Sequence, residues 1–128
     1  MTNDQKNFIE KVGALAVADA QKSGVLPSLI IAQAIIESDW GRSGLTKKGN
    51  ALFGIKAGSS WKGARLNCKT FEYYSGKRTD IADCFRAYGS WEESVADHGA
   101  FLRGLSRYKA VIGEKDYKKA CHAIKAAG

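Results

Sequence analysis

The sequence predicts an α+β fold, in which a mostly helical body stands beside a small β-hairpin lobe. Apolar residues recur at helical spacing before residue 40 and again after residue 90, and helix-capping signals flank both stretches. Between them, residues 67–74 and 79–86 are typical of two short strands joined by a turn. The 128 residues fit a single domain spanning 1–128, which we expect to be a monomer and which a longer protein could contain.

The first predicted helix covers residues 4–22. Thr2 and Gln5 have the spacing of a capping box, in which each residue hydrogen-bonds the other's backbone. Apolar residues then recur every three or four positions, and Ser23-Gly24 is a typical helix end.

The second predicted helix begins at Leu26-Pro27-Ser28, because proline is tolerated in a first helical turn. Residues 29–36 read LIIAQAII, and a helix that is apolar on most sides is buried. The pattern stops abruptly at Glu37, and we expect Gly41 to close the helix. A carboxylic acid thus follows directly after a core helix.

Residues 41–65 are rich in Gly, Ser and Lys and read as loops, interrupted by a short apolar stretch at 52–55. The hairpin turn is expected at residues 75–78. Ser90 and Glu93 form a second predicted capping box. A helical stripe follows it, made of Trp91, Val95, His98, Leu102 and Leu105, and the last helix is expected at about 116–127.

The chain is basic, with 20 Lys and Arg against 13 Asp and Glu, and its net charge is +7. Such a surplus favours polyanionic partners, among them nucleic acid and an anionic cell wall, although it also fits solubility alone. No Lys/Arg block is long enough for a nucleic-acid-binding arm, so nucleic acid is not expected. No apolar run is long enough for a membrane span.

The N-terminus lacks the charged and apolar segments of a secretory signal. If the protein works outside a cytoplasm, its signal was removed, another domain carries it, or cell lysis releases the protein.

The three cysteines match no zinc or redox spacing, and buried thiols are the favoured interpretation. Cys68 and Cys84 fall nearly opposite each other on the two predicted strands. A cross-strand disulfide is therefore an alternative, although a register slip of one residue would separate them. Metal-ligand spacings, phosphate-binding glycine loops and local nucleophile signatures do not occur, so no metal and no cofactor are expected.

Glu37 is the leading candidate for chemistry. Glycoside cleavage needs a carboxylic acid that donates a proton to the leaving oxygen, together with a second group that acts on water or on the developing positive charge. A partly apolar setting helps an acid to keep its proton, and Glu37 lies between a core helix and Trp40. A solvent-facing glutamate at a helix end is the plainer alternative.

Glu72, on the first hairpin strand, is the natural second carboxylate, although an exposed strand glutamate is common. Tyr73 and Tyr74 beside it could stack on sugar rings, and Asp80 and Asp83 on the returning strand are weaker candidates.

Two histidines carry weaker signals. His98 follows Asp97 and falls on the apolar stripe, so a core histidine with a satisfied hydrogen bond is favoured over acid–base work. His122 is expected at the surface.

Several segments resemble the bacterial glucosaminidases of glycoside hydrolase family 73. The run 32–41 (AQAIIESDWG) resembles the family's helix-end motif, and 50–56 (NALFGIK) resembles its Asn-Leu-Phe-Gly-Ile-Lys segment. Further matches lie at 70–73, 85–88 and 90–102, so the resemblance covers about residues 26–126. The order of five segments makes it specific, whereas lytic transglycosylases and lysozymes share the helix-end motif.

The resemblance implies a lysozyme-like fold with a cleft between its lobes. It also implies cleavage of the β-1,4 bond from N-acetylglucosamine to N-acetylmuramic acid in peptidoglycan, without a cofactor. Glu37 matches the catalytic acid and Glu72 a second acidic residue whose role varies, so part of the burden could fall on the substrate's acetamido group. The other site positions line the cleft or contact sugar, namely Asn50, Phe53, Trp40, Tyr73, Tyr74 and Tyr88.

Location and partners follow from this resemblance. The protein is expected outside the cell, in the periplasm or on the wall, or as a phage protein released at lysis. Peptidoglycan strands and the anionic wall are the expected partners.

One departure concerns the C-terminus. Family members commonly continue past the last helix to a tyrosine that faces the cleft, whereas this sequence ends at Gly128. Tyr88 and Tyr108 are candidate substitutes, although both positions fit core packing better. A lytic transglycosylase and a non-catalytic wall-binding or virion assembly domain are the competing interpretations.

Overall fold

A computed structural model describes the backbone of residues 1–74 and 77–128 and the side chains of residues 1–67 and 84–128. It confirms the α+β prediction, with a helical body and a small antiparallel sheet. In chain order the elements are α1 (Asn3–Ser23), α2 (Pro27–Ser38), α3 (Gly44–Gly49), β1 (Lys56–Ala57), β2 (Arg65–Tyr74), β3 (Lys77–Arg86), α4 (Trp91–Gly104), a 3₁₀ turn (Ser106–Tyr108) and α5 (Tyr117–Ala127).

Helix α1 begins with the predicted capping box. The Thr2 hydroxyl accepts from the Gln5 N–H at 3.1 Å, and the Gln5 side chain accepts from the Thr2 N–H at 3.1 Å. The helix ends at Gly24, whose φ of 75° is easily adopted only by glycine.

The core lies where α1 packs against α2 and α4. Both α2 and α4 contribute fully or nearly fully buried side chains, and residues from the C-terminal segments complete the cluster. Its least exposed large members are Ile30, Leu52, Val12, Val25, Val95 and Val111. Helix α2 packs one face on this cluster through Leu29, Ile30 and Ala34, and this packing fixes the helix whose end carries Glu37. The prediction that the helix is buried on most sides was wrong, because Ile36 is 76% exposed.

The prediction of loops throughout residues 41–65 was wrong in two places. Helix α3 forms there because the Ser43 hydroxyl accepts from the Thr46 N–H at 3.3 Å, and Asn50 ends it in the left-handed region at φ 54°. Strand β1 is only two residues long and pairs with β3, which gives the sheet order β1-β3-β2. Strands this short carry almost no sequence pattern.

The hairpin is longer than predicted. Tyr74 pairs with Lys77 and Tyr73 with Arg78, so the last two residues of the predicted turn belong to β3. The other two, 75 and 76, lie outside the described residues. Two irregularities in register interrupt β2 between Leu66 and Phe71.

The predicted capping box of α4 forms only in part. The Ser90 hydroxyl accepts from the Glu93 N–H at 3.2 Å, but the Glu93 carboxylate accepts from the Gly89 N–H at 2.7 Å instead of from Ser90. Leu105, the last residue of the predicted stripe, lies just beyond the helix.

Candidate active site

Ser38 fixes the end of α2. Its fully buried hydroxyl donates to the Ala34 carbonyl at 2.5 Å and accepts from the Gly41 N–H at 2.8 Å. Its own carbonyl accepts from the Ser43 N–H at 3.0 Å. These bonds hold the last turn of the helix, so the backbone of the adjacent Glu37 has a defined position.

The backbone after this turn is unusual. Asp39, Trp40 and Gly41 are consecutive left-handed residues, with φ of 50°, 58° and 80°. A Cβ at Gly41 would come within 3.0 Å of the Phe8 ring and 3.1 Å of the Trp91 ring. Only glycine fits there, three residues after α2 ends at Ser38. The expectation that Gly41 closes the helix was wrong, because Asp39 caps it in the left-handed region and donates its N–H to the Ile35 carbonyl.

Glu37 is exposed and lines a cavity of about 660 Å³. The cavity lies between the end of α2, the segment before β1, α4 and the C-terminal segments, and its size is typical of a small-molecule or cofactor site. Its other lining residues are Gln33, Phe53, Gly54, Ile55, Lys56, His98, Phe101, Leu102, Arg107, Tyr108, Ile124 and Gly128.

The charges around this cavity single out Glu37. It is the one side-chain carboxylate among the described residues that line it, and Lys56 and Arg107 are the lining cations. The Arg107 guanidinium lies 5.0 Å from the centre of the Tyr108 ring. A carboxyl group in a cavity wall is within reach of a ligand bound there and can exchange a proton with it.

His98 is buried, as the sequence predicts, with 4% of its surface exposed. Its ring stacks on Phe53, with centroids 3.9 Å apart and planes at 15°. Burial lowers its pKa to about 4, against a smaller opposing effect of Asp97. The expected satisfied hydrogen bond was wrong for Nδ1, which has no partner among the described residues.

Of the predicted site residues, Glu37 and Phe53 meet at this cavity, whereas three others do not line it. The Trp40 ring packs edge-to-face on Phe8 at 6.0 Å. Asn50 donates through Nδ2 to the Tyr88 carbonyl at 3.0 Å and so ties α3 to the end of the hairpin. Substrate contact by Trp40, Asn50 and Tyr88 stays a prediction.

Tyr88 belongs to a network at the base of the hairpin. Its hydroxyl donates to Asp97 Oδ2 at 2.5 Å, and Arg86 Nη1 donates to both Asp97 oxygens at 3.1 and 3.2 Å. Burial, followed by the Asp97 carboxylate, raises the pKa of Tyr88 far above its usual value. We call Arg86, Tyr88 and Asp97 the hairpin anchor, because they join the end of β3 to α4.

The anchor is reinforced by aromatic rings. The Arg86 guanidinium lies 4.5 Å from the centre of the Trp61 ring and 5.5 Å from that of Phe101. Phe101 also lines the cavity, so the anchor connects the cavity wall to the hairpin. Tyr108, the second candidate substitute tyrosine, lines the cavity but is 6% exposed and belongs to the core.

The hairpin candidates can be placed by backbone register alone. Glu72 lies in β2 opposite Thr79, and Tyr73 and Tyr74 follow it on the same strand. Their side chains, and those of Asp80 and Asp83 in β3, lie outside the described ones.

The cysteine predictions have mixed outcomes. Cys84 is buried and disulfide-bonded, so a buried free thiol was wrong there. Cys121 is free but exposed, so burial was wrong for it. The Cys68 side chain lies outside the described ones, and its pairing with Cys84 stays a prediction.

His122 is exposed, as expected. Within the parts of the chain that the structure describes, no cluster of three or more His, Cys, Asp or Glu side chains could hold a metal ion. None of the described helices has the length and apolar character of a membrane span.

Three residues that line the cavity were not predicted as site residues from the sequence. Gln33 is the one polar residue in the run 29–36 and lies one helical turn before Glu37, which was a usable signal. Arg107 and Ile124 line the cavity from distant C-terminal segments, and no local sequence pattern predicts that they do so.

Residues 13–128 match the protein family described as "Mannosyl-glycoprotein endo-beta-N-acetylglucosaminidase". The chain belongs to this glucosaminidase family. It is 41% identical to the exo-glucosaminidase LytG of Bacillus subtilis over 98% of its own length and 46% of that protein. It is 33% identical to the peptidoglycan hydrolase FlgJ of Salmonella typhimurium, over its full length and 42% of FlgJ.

A solved structure agrees with these relatives. The C-terminally truncated glycoside hydrolase domain of FlgJ from Salmonella typhimurium superposes with a TM-score of 0.77 at 35% identity. The match covers 97% of this chain and 85% of that domain, which confirms the predicted lysozyme-like glucosaminidase fold. The chain spans less than half the length of both curated relatives named above.

Proposed function

We propose that this chain hydrolyses the β-1,4 bond between N-acetylglucosamine and N-acetylmuramic acid in bacterial peptidoglycan, with Glu37 as the general acid. One observation carries the proposal. Glu37 is exposed at the end of α2 and is the one side-chain carboxylate among the described residues around a cavity of about 660 Å³. Membership of the glucosaminidase family supports the reaction class.

The proposed reaction begins when the Glu37 carboxyl donates its proton to the glycosidic oxygen. The bond between that oxygen and the sugar then breaks, and positive charge develops on the sugar ring. A bound glycan strand would cover Glu37 and exclude part of the water around it. The packing of α2 on the core sets where the Glu37 backbone lies at the cavity.

We propose Glu72 as the second group, acting on the attacking water or on the charged sugar. Its support is its place on β2, on the hairpin that the anchor joins to the cavity wall. The substrate's own acetamido group is an alternative source of this assistance.

The proposed substrate contacts fall into two groups. Phe53 is supported by its place in the cavity wall, where it offers an apolar face to a sugar ring. Tyr73, Tyr74, Trp40, Asn50 and Tyr88 are proposed as further contacts, on the strength of the sequence motifs alone. No metal or cofactor takes part in the proposed reaction.

Peptidoglycan as substrate is supported by the names of the relatives, one an exo-glucosaminidase and the other a peptidoglycan hydrolase. The net charge of +7 suits an anionic wall. We therefore place the site of action in the periplasm, on the cell wall or outside the cell, after export or release by lysis.

The products of isolated peptidoglycan test this proposal. After borohydride reduction and mass analysis, hydrolysis at the proposed bond gives strands that end in reduced N-acetylglucosamine. Reduced muramic ends would assign the other bond, and anhydro-muramic ends would assign a lytic transglycosylase. Wall binding without any new ends would make this a binding domain.

A further inference from the structure

Two polar atoms in the cavity have no partner. Gln33 Oε1 and His98 Nδ1 are both buried, and neither has a hydrogen bond within the described part of the chain. Both residues line the cavity that Glu37 lines. Buried polar atoms are nearly always hydrogen-bonded, so two unpartnered atoms around one cavity indicate a ligand that supplies the missing bonds.

His98 is built to present one neutral nitrogen to a ligand. Its ring is 4% exposed and is fixed by the Phe53 ring stacked at 3.9 Å. Because burial lowers its pKa to about 4, the imidazole is uncharged near neutral pH. A neutral imidazole has one N–H donor and one lone pair, so Nδ1 suits an uncharged polar group better than an ion.

Gln33, on α2, offers complementary chemistry to the same cavity. It lies one helical turn before Glu37 on α2, and residues four apart share a helix face. Its amide has both an acceptor oxygen and donor N–H groups, and turning the amide exchanges the two. Any group that bonds Gln33 therefore lies next to the proposed acid.

Phe101, Leu102, Tyr108 and Ile124 supply apolar surface to the same cavity, which Lys56 and Arg107 also line. The required ligand group therefore combines a small apolar end with an uncharged donor and acceptor. An acetamido group has this composition, because its methyl is apolar and its amide offers one N–H and one C=O.

We propose that Gln33 and His98 bind the 2-acetamido group of the N-acetylated sugar that lies beside Glu37. The inference rests on the proposed function for the identity of the substrate. Such binding would make the cavity selective for N-acetylated sugars. A de-N-acetylated sugar lacks the carbonyl and the methyl, and it would place an ammonium group against apolar side chains. Sites that hydrogen-bond a substrate group reject analogues lacking it far more strongly than apolar pockets reject a missing methylene.

The test measures binding, using the Glu37→Gln chain so that cleavage cannot interfere. Titration calorimetry compares a soluble N-acetylglucosamine hexamer with the corresponding glucosamine hexamer and with a chemically re-acetylated sample of the latter. We expect the acetylated hexamer to bind at least about tenfold more tightly, and re-acetylation to restore that affinity. Adding Gln33→Leu or His98→Phe should reduce the ratio of the two affinities, acetylated over de-acetylated hexamer, severalfold.

The change in the ratio is the decisive number. A basic chain repels glucosamine's ammonium groups in any case, but this repulsion is the same in the variants. His98→Phe keeps a ring against Phe53, and thermal melting checks that each variant folds. An equal loss of affinity for both hexamers would show a structural role only, and an unchanged ratio would show that neither residue contacts the acetamido group.

The outcomes separate this inference from the proposed function. A chain that discriminates between the hexamers but leaves peptidoglycan uncut keeps the acetamido site and loses the hydrolase proposal. A chain that cuts peptidoglycan but shows no discrimination loses the acetamido site alone. Failure to bind either hexamer overturns the inference as well.

Discussion

The hairpin anchor should dominate the stability of the sheet, and Asp97→Ala tests this. The substitution removes the acceptor of both Arg86 hydrogen bonds and of the Tyr88 hydrogen bond. The Arg86 and Asp97 side chains are each only 17% exposed, so solvent cannot fully replace these partners. Arg86 would keep its Nε–H bond to the Lys56 carbonyl at 3.3 Å and its contacts with aromatic rings.

The expected magnitude lies between two limits. Breaking a fully buried ion pair costs about 3–5 kcal/mol, whereas exposed pairs contribute roughly 0–1 kcal/mol. With mostly buried partners and a tyrosine hydroxyl also left unpaired, we expect a loss of about 2–4 kcal/mol in the free energy of unfolding. Urea denaturation followed by circular dichroism measures this loss directly.

Two variants control the experiment. Tyr88→Phe removes one of the hydrogen bonds to Asp97 and should cost about 1–3 kcal/mol. Glu92→Gln changes an exposed carboxylate on the same helix and should leave the urea midpoint almost unchanged. If Asp97→Ala were no more destabilising than Glu92→Gln, the anchor would not hold the hairpin to the body.

Three further substitutions test the packing and the buried titratable groups. Gly41→Ala should lower the free energy of unfolding by about 2 kcal/mol, because it adds left-handed backbone strain and places a Cβ 3.0 Å from an aromatic ring. Its control is Gly44→Ala, whose Cβ meets no atom within 4 Å, so this substitution should be tolerated. Burial raises the pKa of Asp19 above its ordinary 3.8, so its protonated form fits the fold better and wild-type stability falls as pH rises through that value. Asp19→Asn should therefore unfold at higher urea at pH 7, and the gain should shrink at pH 3.5; an equal gain at both would contradict this. The pKa of His98 is lowered from 6.5 to about 4, so wild type should lose about 3 kcal/mol as pH falls through that window, and His98→Phe should remove this loss. A pH profile of the urea midpoint that is the same in both proteins would refute the burial argument.

The sequence was most informative where one local pattern decided the structure. The capping box at Thr2, the proline at the start of α2 and the apolar run before Glu37 each act within a few residues, and all appear in the structure. The burial expected for that apolar run was wrong at Ile36, which is 76% exposed, and Glu37 is exposed, which was the plainer alternative. Gly41 was expected to close α2, whereas the helix ends at Ser38 and Asp39 caps it.

The sequence was less informative where distant segments meet. The Trp40 ring packs edge-to-face on Phe8, a residue far away in the chain, and no sequence pattern predicts that contact. The His98 ring stacks on Phe53, which is far away in the chain, and no sequence pattern predicts that contact or the unpartnered Nδ1. Strand β1 exists only because β3 lies beside it.

The most direct test of the account compares the native chain with Glu37→Gln on isolated peptidoglycan, with Glu92→Gln as the matched control. Both the loss of turbidity and the appearance of reducing ends should be recorded. Glu37→Gln should lose about a thousandfold in rate or more, while it folds and binds the wall as the native chain does, and Glu92→Gln should keep full activity. If Glu37→Gln released reducing N-acetylglucosamine ends at a rate close to that of the native chain, Glu37 would not be the catalytic acid.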